Sequence, residues 1–164
     1  MIVNQNYRRE IVNMIVPYAR EDKNIILLVG DMGFGVADKF KEEFPDRIFN
    51  MGVMEQATVG IAAGMAMTGL KPIVYSIVNF IVFRALEQVR NDVVLQNLNV
   101  KFIGTGAEDY FKFLGKSHCC GKDDIKLMQL INMRAFDPYK DALVNFQELV
   151  NEWITDPNPG YIRV

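Results

Sequence analysis

Apolar positions along this chain switch between two spacings. Ile11, Met14, Ile15 and Tyr18 recur three and four apart after a polar start, which is the spacing of a helix with one buried face. Ile25–Val29 is then an unbroken apolar run closed by Gly30-Asp31, as expected of a short strand covered on both sides. The alternation continues. Residues 36–44 are amphipathic and stop at Pro45, residues 47–50 are short and strand-like, and residues 54–68 are helical with Gly69 as the stop. Pro72 opens a strand over residues 73–77. Residues 80–97 return to helical spacing through Phe83, Leu86, Val89, Val93 and Leu95, and residues 100–103 form a buried strand ending in Gly104-Thr105-Gly106. A loop of roughly fifteen residues follows, long enough for a compact domain to be functional or mobile. A helix over residues 124–131, a strand over 133–136, a helix over 139–153 and a last strand over 161–164 complete the order, with Asp156-Pro157-Asn158-Pro159-Gly160 as the turn before that strand.

Strand and helix in alternation predict an α/β fold. The expected architecture is a three-layer αβα domain with a mostly parallel, doubly wound sheet, and its ligand site is expected at the carboxyl ends of the strands. A length of 164 residues suits one such domain over residues 1–164.

Composition narrows the class. Hydrophobic residues make up 50% and charged residues 23%, and a net charge of -2 gives no electrostatic case for nucleic acid or an anionic membrane as partner. The apolar runs are strand-sized and the N-terminus reads as amphipathic rather than as a signal peptide, so a cytoplasmic protein is expected. Cys119 and Cys120 are adjacent, which suits a reducing compartment better than a disulfide framework. His118 beside them invites a metal reading, but three consecutive ligands rarely close one tetrahedral site.

Candidate chemistry centres on Glu55. It heads a helix rich in Gly60, Ala62, Ala63, Gly64 and Ala66, whose low bulk lets a backbone or a flat ligand approach closely. A carboxylate entering so tight a region must be paired, hydrogen-bonded or protonated. Its spacing from Gly52 also allows a plain capping role in the first helical turn. Gly30-Asp31-Met32-Gly33-Phe34-Gly35 stands between a strand and a helix, where phosphate loops occur. It matches neither the dinucleotide fingerprint nor the P-loop, and reads as a tight turn beside a ligand pocket.

Taken with the segment from Asn79 through Phe80, Phe83 and Arg84 to Arg90, and with Gly115-Lys116-Ser117-His118 and the downstream Asp123-Asp124, this series resembles the pyrimidine-binding domain of thiamine diphosphate enzymes of the transketolase kind. The resemblance runs from Asp31 to the terminal Tyr161-Ile162-Arg163-Val164. In that family the glutamate matching Glu55 hydrogen-bonds a ring nitrogen of the cofactor's aminopyrimidine. This favours the imino tautomer that takes the proton from the thiazolium carbon. An aromatic side chain stacks on the same ring. Phe80 and Phe83 are both candidates, because matching this stretch to the family pattern needs a one-residue adjustment, and either is alternatively core. His118 matches a histidine that faces substrate oxygens, a role suited to proton shuttling, with a surface-loop histidine as the alternative. The family's Gly-Asp-Gly motif with a downstream asparagine, which holds Mg2+ and diphosphate, is absent.

The resemblance therefore implies half an active site. The chain is expected to be the pyrimidine-domain subunit of a two-chain enzyme, a heterotetramer or larger, whose partner carries the diphosphate-binding domain. The expected reaction is transfer of a two-carbon ketol unit between sugar-like substrates such as sugar phosphates. The alternatives are a subunit acting on 2-oxo acids, a noncatalytic assembly partner, and a stand-alone nucleotide-binding domain. Met51, Met54, Met65 and Met67 are expected to face the partner in part.

Overall fold

The computed structural model describes residues 7–32, 35–140 and 143–164. Among these residues six strands lie in one sheet: β1 (Ile25–Val29), β2 (Ile48–Asn50), β3 (Lys71–Ile77), β4 (Lys101–Thr105), β5 (Arg134–Phe136) and β6 (Gly160–Arg163). Their order is β2-β1-β3-β4-β6-β5, and every pairing is parallel. Successive side chains of a strand point to opposite faces, so the apolar runs divide between two cores. Ile25, Leu27, Val29, Ile73, Tyr75, Ile103 and Ile162 face one side, and Ile26, Leu28, Val74, Phe102 and Tyr161 face the other.

Helices cover both cores, which is why these strands carry no polar alternation. On the first face lie α1 (Tyr7–Glu21), α2 (Asp38–Glu43) and α6 (Phe146–Thr155); α1 contributes Ile11, Val12, Ile15 and Val16, and α6 contributes Val150 and Trp153. On the second lie α3 (Glu55–Met67), the short α4 (Leu86–Gln88) and α5 (Asp123–Leu130). Gly69, at φ +91°, ends the turn after α3 in a conformation that suits glycine.

The helix expected over residues 139–153 begins later, at Phe146. Asn145, which has helical neighbours in the apolar pattern, is instead the cap: its side chain accepts from Glu148 N at 3.3 Å. Upstream, Asp137 Oδ1 accepts from Tyr139 N at 2.9 Å and turns the chain. Asp141 and Ala142 of that expected helix lie outside the described residues, as do Gly33 and Phe34 of the glycine-rich turn. Among the described residues, no helix is long and apolar enough to cross a membrane.

The amino end of the sheet is held by a buried lysine. Lys101 donates to the carbonyls of Asp156 and Asn158 at 2.6 and 2.5 Å, fixing the turn before β6. Burial pulls its ammonium down to about 8, against the upward pull of Asp156.

Candidate functional site

The sheet reverses its winding between β1 and β3, since β2 lies beyond β1 on one side and β4 beyond β3 on the other. Ligands of doubly wound sheets bind outside the carboxyl ends at that crevice. Here Gly30 follows β1, Ser76 is the last but one residue of β3, and Glu55 opens α3. The Glu55 carboxylate is committed to distant groups rather than to the N–H groups of its own turn. Oε1 accepts from Ser76 Oγ at 3.1 Å, and Oε2 accepts from Arg84 Nη1 at 2.6 Å. The Glu55 side chain is 3% exposed while that of Arg84 is 40% exposed. A Cβ at position 30 would come within 3.0 Å of Ser76 Oγ and 3.6 Å of Glu55 Oε1, so a glycine there keeps the end of β1 clear of the carboxylate.

The segment after β3 is helical as expected, but not uniformly so. Phe80–Arg84 and Val89–Val94 are π-helical turns flanking α4. A π turn takes one residue more than an α turn and occurs frequently at functional sites. Within the first such turn the Arg84 guanidinium lies over Phe80, 4.1 Å from the ring centroid, while Phe83 is 54% exposed. Ile81 and Val82 fill the core instead.

His118 reaches the same cluster. Its ring meets Phe80 edge-on, with centroids 5.2 Å apart, and Ser117 Oγ lies 3.0 Å from its Nδ1, leaving Nε2 as the other polar atom of the ring. Asn79 holds this part of the loop, donating from Nδ2 to the carbonyls of Ser117 and Cys119 at 2.9 and 3.0 Å. Asn79 is itself buried, and its Oδ1 has no hydrogen-bond partner among the described residues.

Both ends of that loop are tied to the last strand. Arg163, fully buried, donates through Nη2 to Gly121 O at 2.7 Å and through Nη1 to Glu108 at 2.8 Å. Its Nε lies 3.0 Å from Asp124 Oδ2, which also accepts from Tyr161 Oη at 2.7 Å. Burial raises the Asp124 carboxyl, and Arg163 and Tyr161 oppose the rise. Glu108 and Asp109 take positive φ angles of 53° and 58°, a strained pair held by Arg163 and by the Gly121 N–H, which donates to Asp109 Oδ1. At the loop's start, Arg8 donates to Thr105 Oγ1 at 2.8 Å and lies against the rings of Tyr110 and Phe111. Cys120, buried beside Asp124, has its thiol pushed up to about 12 by burial first and by that carboxylate second.

The structure thus brings Glu55, Phe80 and His118 into one chain of contacts through Arg84, and leaves Phe83 at the surface. Ser76, Asn79 and Arg84 complete the cluster. They bond across 21 to 40 residues of sequence, a separation at which no local pattern betrays a pair.

The chain from residue 4 to 164 matches the model of the transketolase pyrimidine-binding domain. It belongs to that family. A protein of Phocaeicola vulgatus named as a subunit of apulose-4-phosphate transketolase is 32% identical over 158 residues, covering 96% of this chain and 50% of that protein. A 1-deoxy-D-xylulose-5-phosphate synthase of Clostridium perfringens is 33% identical over 161 residues, covering 94% of this chain and 24% of the synthase. Among solved structures, one described as a split gene transketolase, inactive beta4 tetramer, is 33% identical, with a TM-score of 0.78 over 95% of this chain and 49% of that one. Transketolase from Leishmania mexicana shares the fold, at a TM-score of 0.75 and 17% identity. The chain therefore spans about half the length of some relatives and about a quarter of others. Members of this family depend on thiamine diphosphate.

Proposed function

We propose that this chain is the pyrimidine-binding subunit, a single domain over residues 1–164, of a two-chain, thiamine diphosphate-dependent transketolase-type enzyme of the cytoplasm. The observation that carries the reading is the Glu55 carboxylate, almost wholly buried at the switch point and directed at a planar cation lying on an aromatic ring. The pyrimidine end of the cofactor suits these residues. Glu55 offers an in-plane acceptor, Gly30 leaves the space before it, and Asn79 Oδ1 is a buried acceptor without a partner among the described residues, next in sequence to Phe80. The diphosphate end does not suit them: among the described residues no three of His, Cys, Asp and Glu gather to hold a metal. Mg2+ and diphosphate are assigned to a partner chain, consistent with relatives named as a transketolase subunit and as a split-gene transketolase.

When bound, thiamine diphosphate supplies the carbon nucleophile that attacks a ketose carbonyl. Glu55 accepts a hydrogen bond at a ring nitrogen in a nearly dry pocket, where one such bond weighs heavily on a protonation equilibrium. Phe80 seats the ring. His118 presents Nε2 to substrate oxygens and moves a proton there, oriented by Ser117 at Nδ1 and by the Asn79 strap across the loop. The partner chain covers the exposed apolar groups near the cleft, among them Val53, Met54 and Phe83, and Met67 at the far end of α3. The reaction is two-carbon ketol transfer between sugar-like substrates.

Affinity capture of the chain from its native extract tests the assembly, with the expected outcome a co-purifying chain that bears Gly-Asp-Gly and carries thiamine diphosphate. In the captured complex Glu55→Gln is expected to lower ketol transfer on the order of 10³-fold or more. Normal turnover by the variant refutes the role of Glu55. Carbon dioxide release from simple 2-oxo acids without an aldose acceptor moves the reaction to the decarboxylase class.

A further inference from the structure

Arg84 makes two contacts that the proposed function assigns to a different molecule. Its Nη1 donates to Glu55 Oε2 at 2.6 Å, and its guanidinium carbon stands 4.1 Å over the centre of Phe80. A guanidinium is flat, carries its N–H donors in its own plane and stacks on aromatic faces. An aminopyrimidine is flat as well, with its nitrogens in the plane. Ser76 occupies the other carboxylate oxygen, so both oxygens of Glu55 are engaged. One face of Phe80 and one oxygen of Glu55 do not accommodate two flat donors at once.

We propose that Arg84 is a placeholder for the cofactor's ring: it pairs with Glu55 and covers Phe80 in the ring's stead, and it gives way as the ring seats. The inference rests on the proposed roles of Glu55 and Phe80. Two further features favour exchange. The Arg84 side chain is 40% exposed, so on release its charge passes into water, whereas Glu55 at 3% exposure cannot be left without a partner. Phe80 and Arg84 also begin and end the same π-helical turn, so both groups ride on one irregular piece of backbone. The device confers selectivity. Only a ligand that offers both an in-plane donor and a flat face replaces what Arg84 supplies, and inorganic diphosphate offers neither.

The test is calorimetric titration of thiamine diphosphate with Mg2+ into the chain together with its captured partner, for the wild type, Arg84→Met, Arg84→Lys and Glu55→Gln. Methionine keeps the apolar stem and removes both donor and charge. Competition by Arg84 predicts about tenfold tighter binding by Arg84→Met, since the binding-competent arrangement is no longer held back, and a return toward wild type in Arg84→Lys, which restores the ion pair. Weaker binding by Arg84→Met with weaker binding by Glu55→Gln overturns the placeholder while leaving Glu55 on the ring, because Arg84 then orients the carboxylate instead of competing for it. Unchanged binding by Arg84→Met also overturns it. Glu55→Gln binding as tightly as wild type, or no binding by any of the four, removes the reading of the site and the inference with it.

Discussion

Two carboxylates in this molecule are buried against an arginine, and they are built for opposite purposes. Asp124 and Arg163 are both fully buried, and the arginine is surrounded by Glu108, Asp137 and the Gly121 carbonyl as well. Glu55 is just as deeply placed, but Arg84 reaches it from the surface and makes no other ion pair among the described residues. In the first pair neither charge is able to rehydrate without opening the protein. In the second the cation leaves freely and only the carboxylate needs a replacement. The exposure of the arginine, and not the burial of the acid, separates a structural lock from an exchangeable site.

The largest expected effect falls on Glu55, where the amide variant loses about three orders of magnitude or more in turnover yet melts within a few degrees of wild type, since Arg84 returns to water. A large loss of thermal stability in Glu55→Gln would put the residue in the same class as Asp124. Next comes Arg163→Met, which strands buried carboxylates and is expected to cost about 3–5 kcal/mol, on the order of 10 °C in melting temperature for a domain of this size. Arg84→Met strands one carboxylate where Arg163→Met strands three, so it is expected to cost less, and a reversed ranking of the two arginines by thermal denaturation breaks the comparison outright. A smaller effect separates the phenylalanines. Phe80→Ala should weaken thiamine diphosphate binding by about tenfold or more, in line with a lost aromatic face. Phe83→Ala should leave the cofactor's affinity nearly unchanged and weaken association of the two chains, and titration of both variants with cofactor and with partner decides it.

Lys101 supplies the smallest and most conditional effect, at the end of the sheet away from the site. Its folded pKa of about 8 lies below the ordinary 10.5, so between those values the unfolded chain binds a proton that the folded chain does not. Its contribution to stability therefore rises with pH across that window. Denaturant melts of wild type and Lys101→Met at pH 7 and pH 10 should show the wild type gaining on the variant as pH rises; parallel curves would mean the ammonium is not penalised.

Local pattern announced most of this fold because its strands are covered on both faces and its helices on one. β1 fell on the residues expected, and the strand expected over 133–136 starts one residue later, at Arg134, and ends at Phe136 as expected. The late start of α6 escaped because Asn145 and the Asp137 turn interrupt an apolar spacing that runs straight through them. Glu55, Phe80 and His118 were legible as candidates through their family setting. Arg84, Asn79 and the Arg163 network were not, because each acts on residues far away in sequence, where neither periodicity nor composition leaves a trace. That Phe80 lies under Arg84 while Phe83 is exposed belongs to a turn of irregular winding, which side-chain patterns do not report.

The π turn at Phe80–Arg84 controls orientation at the site independently of the sheet. A helix advances about 100° per residue, so removing one codon between Phe80 and Arg84 would draw the π turn back to an α turn and swing Phe80 about 100° relative to everything that follows. The sheet, anchored upstream through β3, would be untouched. Which group meets Glu55 is therefore set by the winding of one short turn, while the packing of the domain is set by the sheet.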